Sequence, residues 1–210
     1  VTTLRAIPIA AAIAATYGCY GPEQAARPRT PGQTQLVFVD HGVLMPHGLP
    51  YERAGLILAG TLVPVQMRRR ESAEGVVFDL VAHGQVVEDE QYFNSADGFK
   101  LVAAGGERYE PPVPIVRYPF KPGEAWDWSG KLHCGARART ATGNVVVDRD
   151  NLNVPGGPFQ TLRVTIDLRI DGGGPATADR KLVFWFAPGK GIVKREFGFC
   201  STREPIPEDR

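Results

Sequence analysis

From Val164 to Ile170 apolar and polar residues alternate without a fault, the period-2 pattern of a strand with one buried and one wet face. The chain Asp171-Gly-Gly-Gly-Pro175 ends it. Lys181–Phe186 and Ile192–Phe197 follow as two more strands, separated by Ala187-Pro-Gly-Lys-Gly191. Earlier, Val76–His83 and Val86–Phe93 flank Gly84-Gln85, a pair whose leading glycine suits a type II′ hairpin. Phe99–Ala103 follows the turn Ser95-Ala-Asp-Gly98. Trp126–Ser129, Lys131–Thr140 and Val145–Asp148 also read as strand, as does Thr61–Arg70, where Pro64 calls for an edge position.

The connections are turns, whereas parallel strands need crossovers of a dozen or more residues. The pattern therefore predicts a mainly all-β fold: a single strongly curved antiparallel sheet or open half-barrel of about eight strands. Tyr51–Gly60 reads equally as a short helix or a strand, and Gln35–Gly48 as one strand and a loop. The expected organisation is a leader over 1–18, a tether over 19–33, a β domain over 34–200 and a frayed polar tail over 201–210.

Composition agrees with this reading. With 24 Gly and 18 Pro in 210 residues, breakers make up one residue in five, too many for a helical bundle. A 43% hydrophobic share excludes global disorder, and a net charge of +1 excludes an electrostatically driven nucleic-acid binder.

The N-terminal stretch has a different character. Arg5 precedes an uncharged run from Ala6 to Ala15, the pattern of a basic region and a short apolar region of an export signal. That run is too short to span a bilayer as a helix. Thr16-Tyr17-Gly18-Cys19 resembles the lipobox of bacterial lipoproteins, in which the cysteine becomes the acylated first residue of the mature chain. Gly18 fits it, while Thr16 and Tyr17 depart from the usual Leu and Ala. The segment Tyr20–Gln33 holds Pro22, Pro28, Pro31, Gly21 and Gly32, as a tether would. Acylation of Cys19 leaves Cys134 and Cys200 as an even pair for a disulfide in an oxidising compartment. The expected location is the bacterial cell envelope, lipid-anchored; plain secretion or a soluble periplasmic state is the alternative.

Three segments occur in order: Lys121-Pro-Gly-Glu-Ala-Trp126, Val154-Pro-Gly-Gly-Pro-Phe159 with Val164, and Trp185-Phe-Ala-Pro-Gly-Lys-Gly-Ile-Val-Lys194. Together with Pro111–Pro119 they resemble exported bacterial β proteins of unknown function, some similar to lipoprotein-carrier half-barrels. Gly157-Pro158 departs from that pattern. The resemblance implies a sheet curved around an apolar cavity and no catalytic residues. Each motif also has a backbone reading, because Pro-Gly presets a turn: Pro122-Gly123 is expected to turn Trp126 into the core, and Pro155-Gly156 to do so for Phe159. Pro188-Gly189 joins two strands on which Trp185 and Phe197 are expected to pack.

Candidate chemistry is sparse. Asp40, His41, His47 and Glu52 are donors of the kind that bind zinc, but their spacing matches no known loop and solvated loop residues account for them. His133 and Cys134 are neighbours in a strand and point to opposite faces, so they make no nucleophile–base pair. No nucleophile elbow, zinc-protease, phosphate-loop or dinucleotide motif occurs, and no cofactor or metal is expected. Arg68-Arg-Arg70 reads as a solvated edge. Trp126 and Trp128 share one strand face, as do Phe184 and Phe186. These four are the candidates to line a pocket for a lipid or other apolar ligand, against the plainer reading of core fillers. The expected function is a non-enzymatic envelope lipoprotein that holds such a ligand. The alternative is a structural or protein-interaction module without one, and a hydrolase stands a distant third.

Overall fold

Inward and outward positions alternate along twelve strands: β1 (Arg53–Leu58), β2 (Thr61–Ser72), β3 (Gly75–Ala82), β4 (Gln85–Ser95), β5 (Gly98–Ala104), β6 (Glu107–Arg117), β7 (Ala125–Cys134), β8 (Arg137–Val154), β9 (Gly157–Asp171), β10 (Thr177–Ala187), β11 (Gly191–Phe197) and β12 (Ser201–Pro205). The computed structural model describes residues 52–171, 177–198 and 201–207. Every strand pairs antiparallel with the next, and β12 pairs with β1, so the sheet closes. The fold is all-β as expected, but it is a closed twelve-strand barrel rather than an open half-barrel of about eight. Among the described residues there is no helix, and Arg53–Leu58 is a strand.

The closing strand lies where a frayed tail was expected. Ser201–Pro205 pairs with Leu58–Ala54 on one side and Arg195–Phe197 on the other. Its polarity misleads because its inward residues, Ser201 and Arg203, find partners across the barrel. Two other boundaries move. The stretch read as one strand over Lys131–Thr140 is a hairpin, β7 and β8 turning at Gly135-Ala136. The β3–β4 turn is His83-Gly84, both with positive φ (49° and 80°), which is type I′ and not II′, since Gln85 already pairs with Ala82. Pro64 sits as expected for an edge: β2 meets β3 only from Gln66 onward, so the proline's missing N–H breaks no bond on that side.

A barrel of this many strands is wider than eight-stranded barrels that ordinary side chains fill, so large side chains must meet across it. Phe99 on β5 meets Phe186 on β10 edge-on at 6.1 Å, and Phe120 meets the same ring at 5.5 Å. Tyr92 stacks on Phe99 at 5.0 Å, and Phe197 packs on Phe184, not on Trp185. Trp185 faces outward with Leu152, Val183, Ala187 and Val193, and its indole donates to Asp150 Oδ2 at 2.9 Å. Phe159 joins this outer cluster instead of the core.

The tryptophans of β7 have a structural task. The ladder between β6 and β7 runs only from Glu107 to Glu110, because Pro111, Pro112 and Pro114 cannot donate backbone hydrogen bonds. Beyond it, Trp126 Nε1 donates to the Pro114 carbonyl at 2.9 Å and Trp128 Nε1 to that of Pro111 at 3.1 Å. The strands approach closely here: a Cβ on Gly130 would lie 2.5 Å from the Glu110 carbonyl oxygen. Indole N–H groups thus seal a seam that the backbone cannot.

Candidate functional site: an ion-paired network at the barrel mouth

Six hairpins, from β1–β2 to β11–β12, turn at one end of the barrel, here called the mouth. Just below it the inward faces of β4, β11 and β12 carry charge. Glu90, Arg195 and Arg203 are fully buried, and Glu88 and Ser201 nearly so. Glu90 Oε1 accepts from Arg195 Nε at 2.8 Å and from Arg203 Nε at 2.7 Å. Its Oε2 accepts from Arg203 Nη2 at 2.9 Å and from the Tyr92 hydroxyl at 2.8 Å. Four charge-assisted bonds on one carboxylate outweigh its burial: loss of hydration pushes its pKa up, but the two guanidiniums and Tyr92 bring it down to about 2. Tyr92 responds oppositely. Burial and the adjacent Glu90 carboxylate hold its phenol protonated far above the usual range.

Arg195 links this centre to the mouth. Its Nη1 donates to Ser201 Oγ at 2.6 Å and its Nη2 to Glu88 Oε1 at 2.6 Å. The guanidinium also lies 4.3 Å from the Phe197 ring centre. Ser201 Oγ donates to the same Glu88 oxygen at 2.9 Å. Glu88 differs from Glu90: its pKa is raised, because burial, helped by the Glu90 charge, outweighs the attraction of Arg195.

The network ends at a cavity of about 370 Å³, bordered by Glu88, Ser201, Phe197, Tyr109, Leu58 and Cys134. A larger hollow of about 610 Å³ lies around β9–β11, where Asp167, Arg169, Asp179, Lys181 and Glu196 line it. Lys181 and Asp167 there are well exposed and 3.5 Å apart. The mouth cavity is the candidate site, because there a buried charge network reaches open space. Glu107 and Arg180, paired through both guanidinium nitrogens, form part of its border.

The residues expected to hold an apolar ligand lie within the buried core cluster. Trp126 and Trp128 are 7% and 6% exposed, Phe184 and Phe186 are 0% exposed, and all four belong to the packed interior. Neither cavity is lined by any of them. The face-sharing inferred from strand parity is present, and inside the barrel Trp128 meets Tyr109 at 6.1 Å while Phe186 meets Phe99, Phe120 and Phe184 at 6.1, 5.5 and 6.4 Å. Cys134 is an exposed free thiol, and Cys200, with which a disulfide was expected, lies outside the described residues. Cys19, Asp40, His41 and His47 also lie outside them, and among the described residues no cluster of metal-ligating side chains occurs. His133 faces Glu110 Oε2 at 2.9 Å. Glu88, Glu90, Arg195, Ser201 and Arg203 were not candidates from the sequence. Their one signal is the Glu88–Glu90 spacing, two acids on a single strand face.

Comparison with protein-family models and with curated proteins finds no match. Among solved structures the chain is similar to the hypothetical lipoprotein YmcC from Escherichia coli, at 11% identity and a TM-score of 0.43, over 76% of this chain and 87% of that one. A candidate lipoprotein from Parabacteroides distasonis matches at 14% identity and a TM-score of 0.36, over 72% of this chain and 91% of that one. A candidate exported protein with a YmcC-like fold from Bacteroides fragilis matches at 16% identity and a TM-score of 0.36, over 79% and 99% respectively.

Proposed function

We propose that this chain is an exported envelope protein, anchored to a membrane through acyl chains on Cys19, whose barrel is a non-enzymatic structural or interaction module. The observation that carries this reading is the packing of the inward aromatic residues on one another. A lipid carrier needs an apolar void of several hundred cubic ångströms, and here the aromatic residues that would line one are buried against each other. The polar centre is likewise occupied with itself. The Ser201 hydroxyl accepts from Arg195 and donates to Glu88, so its hydrogen bonds are spent within the network.

Anchoring is supported by the uncharged run ending at Gly18-Cys19 and by the Pro/Gly-rich segment behind it. One acyl chain binds a membrane only marginally, so the several chains of a bacterial lipoprotein are needed. The test is fractionation of cells producing the full chain with Cys19→Ser. The variant is expected in the soluble fraction; a variant that stays with the membrane at the mature mass contradicts the anchor.

A further inference from the structure

The β8–β9 hairpin outreaches its neighbours at the end of the barrel opposite the mouth. β8 pairs with β7 only as far as Val146, and the last backbone bonds on that edge join Val147 to Gly123 and Glu124. β9 pairs with β10 only from Leu162 onward. Beyond these limits, among the described residues, Asp148–Val154 and Gly157–Thr161 pair with each other alone. A lone two-stranded ribbon is marginally stable in water, so side chains must hold this one in place.

The ribbon lies against the outer wall. Asn151, Asn153 and Gln160 are exposed, whereas Leu152, Val154 and Phe159 alternate with them and pack with Val183, Trp185, Ala187 and Val193. Asp150 accepts the Trp185 indole N–H. At the tip, Gly156 rests on Pro205 at the end of β12, where a Cβ would come within 2.6 Å of the proline Cβ. The ribbon therefore bends across β10 and β11 to reach β12.

Its root carries a defect. Arg163 Nε is buried without a hydrogen-bond partner, the only such side-chain atom among the described residues. The guanidinium meets Asp148 and Asp150 loosely, at 3.5 and 3.6 Å. A buried N–H without an acceptor is costly, and water would satisfy it once the ribbon lifts. Burial of the apolar face holds the ribbon down; the orphaned N–H and the missing backbone bonds to the wall favour release.

We propose that Asp148–Thr161 form a releasable strap, a two-state element that lifts while the barrel stays closed and uncovers the apolar outer wall around Trp185. β12 stays in place when the strap lifts, because Glu90 holds Arg203 from inside.

Hydrogen exchange of the full chain, followed by NMR over a series of sub-denaturing urea concentrations, tests this. The hydrogen-bonded amides of Leu152–Val154 and Phe159–Thr161 and the Trp185 indole proton are expected to share one opening free energy. That value lies below the one for the Val164–Ile170 amides and depends little on urea, since lifting exposes little surface. In Gly156→Ala the new methyl meets the Pro205 ring. The strap protons are expected to exchange at least about tenfold faster, with Val164–Ile170 and Thr202–Arg203 unchanged. Adding Pro205→Gly removes the obstruction and restores slow exchange. Phe159→Ser, which weakens the apolar face alone, is expected to speed the same protons. Strap amides that exchange only together with Val164–Ile170, or at near-intrinsic rates in the native chain, overturn the proposal. So does failure of either single variant to speed the Trp185 indole proton.

Discussion

Arg195 and Arg203 stand opposite one another on β11 and β12, and both aim Nε at the same oxygen of Glu90. Two like charges on neighbouring strands repel, so the pairing of these strands depends on the carboxylate that β4 sends across the barrel. The contact spans 105 positions to Arg195 and 113 to Arg203. It ties the closing strand to the opposite wall.

Removing the shared carboxylate strands two buried guanidiniums. Glu90→Gln is therefore expected to cost about 3–5 kcal/mol, the range for breaking a buried pair by deleting one partner. A chain of this size loses about 2–4 °C of Tm per kcal/mol, which thermal unfolding resolves easily. Glu88→Gln is expected to lie within about 1 kcal/mol of the native chain, since its amide oxygen still accepts from Arg195 and a poorly hydrated charge is gone. Equal losses in the two variants contradict the assignment of Glu90 as the centre.

The acid limb of stability follows from the same group. Glu90 has a folded pKa of about 2 against a model value of 4.5. Its contribution is fully present above the unfolded pKa and is lost as pH falls from about 4.5 toward 2. Glu88, shifted upward, works in the opposite sense: its contribution is complete below its unfolded pKa and fades as pH rises through the folded one. Denaturant titrations between pH 2 and 6 are expected to show a steep acid loss in the native chain and a flatter limb in Glu90→Gln.

Tyr92→Phe deletes one donor to Glu90 and leaves the ring stacked on Phe99. The expected cost is about 1–3 kcal/mol, since a hydrogen bond to a buried charge is lost. The midpoint of acid unfolding should move upward in pH because Glu90 protonates more easily.

At the β6–β7 seam, Trp128→Ala removes both a large buried ring and the donor to the Pro111 carbonyl. A loss of about 3–5 kcal/mol is expected from the ring. Trp126→Phe keeps most of the ring volume and is expected to cost little beyond the hydrogen bond to Pro114, roughly 1 kcal/mol. Urea unfolding of the two variants checks the ranking.

Strands whose inward residues are apolar were legible from alternation alone. Along β9, Leu162, Val164, Ile166, Leu168 and Ile170 all face the core. In β10 strand parity put Phe184 and Phe186 on one face, which is the inner one, but the expected packing of Trp185 on Phe197 does not occur, since Trp185 lies in the outer cluster. The larger failures share one cause. On β4, β11 and β12 the inward positions carry Glu88, Glu90, Arg195, Ser201 and Arg203, so a polar residue signals solvent where it means a partner a hundred positions away. That pairing exists only once the barrel closes. For the same reason Ser201–Pro205 read as a tail and the sheet as open. Trp126 and Trp128 were correctly placed on one face, but their role in the seam depends on carbonyls of a strand whose prolines break its ladder.

Hydrogen exchange of the backbone amides of Thr202, Arg203 and Glu204 on β12 tests barrel closure directly. Closure around the Glu90 network predicts protection close to that of the global unfolding free energy, with protection of these amides falling selectively in Glu90→Gln. Exchange of the same amides at near-intrinsic rates, in a chain whose β9 and β10 amides remain protected, would show an open sheet with a free C-terminal strand and contradict the account.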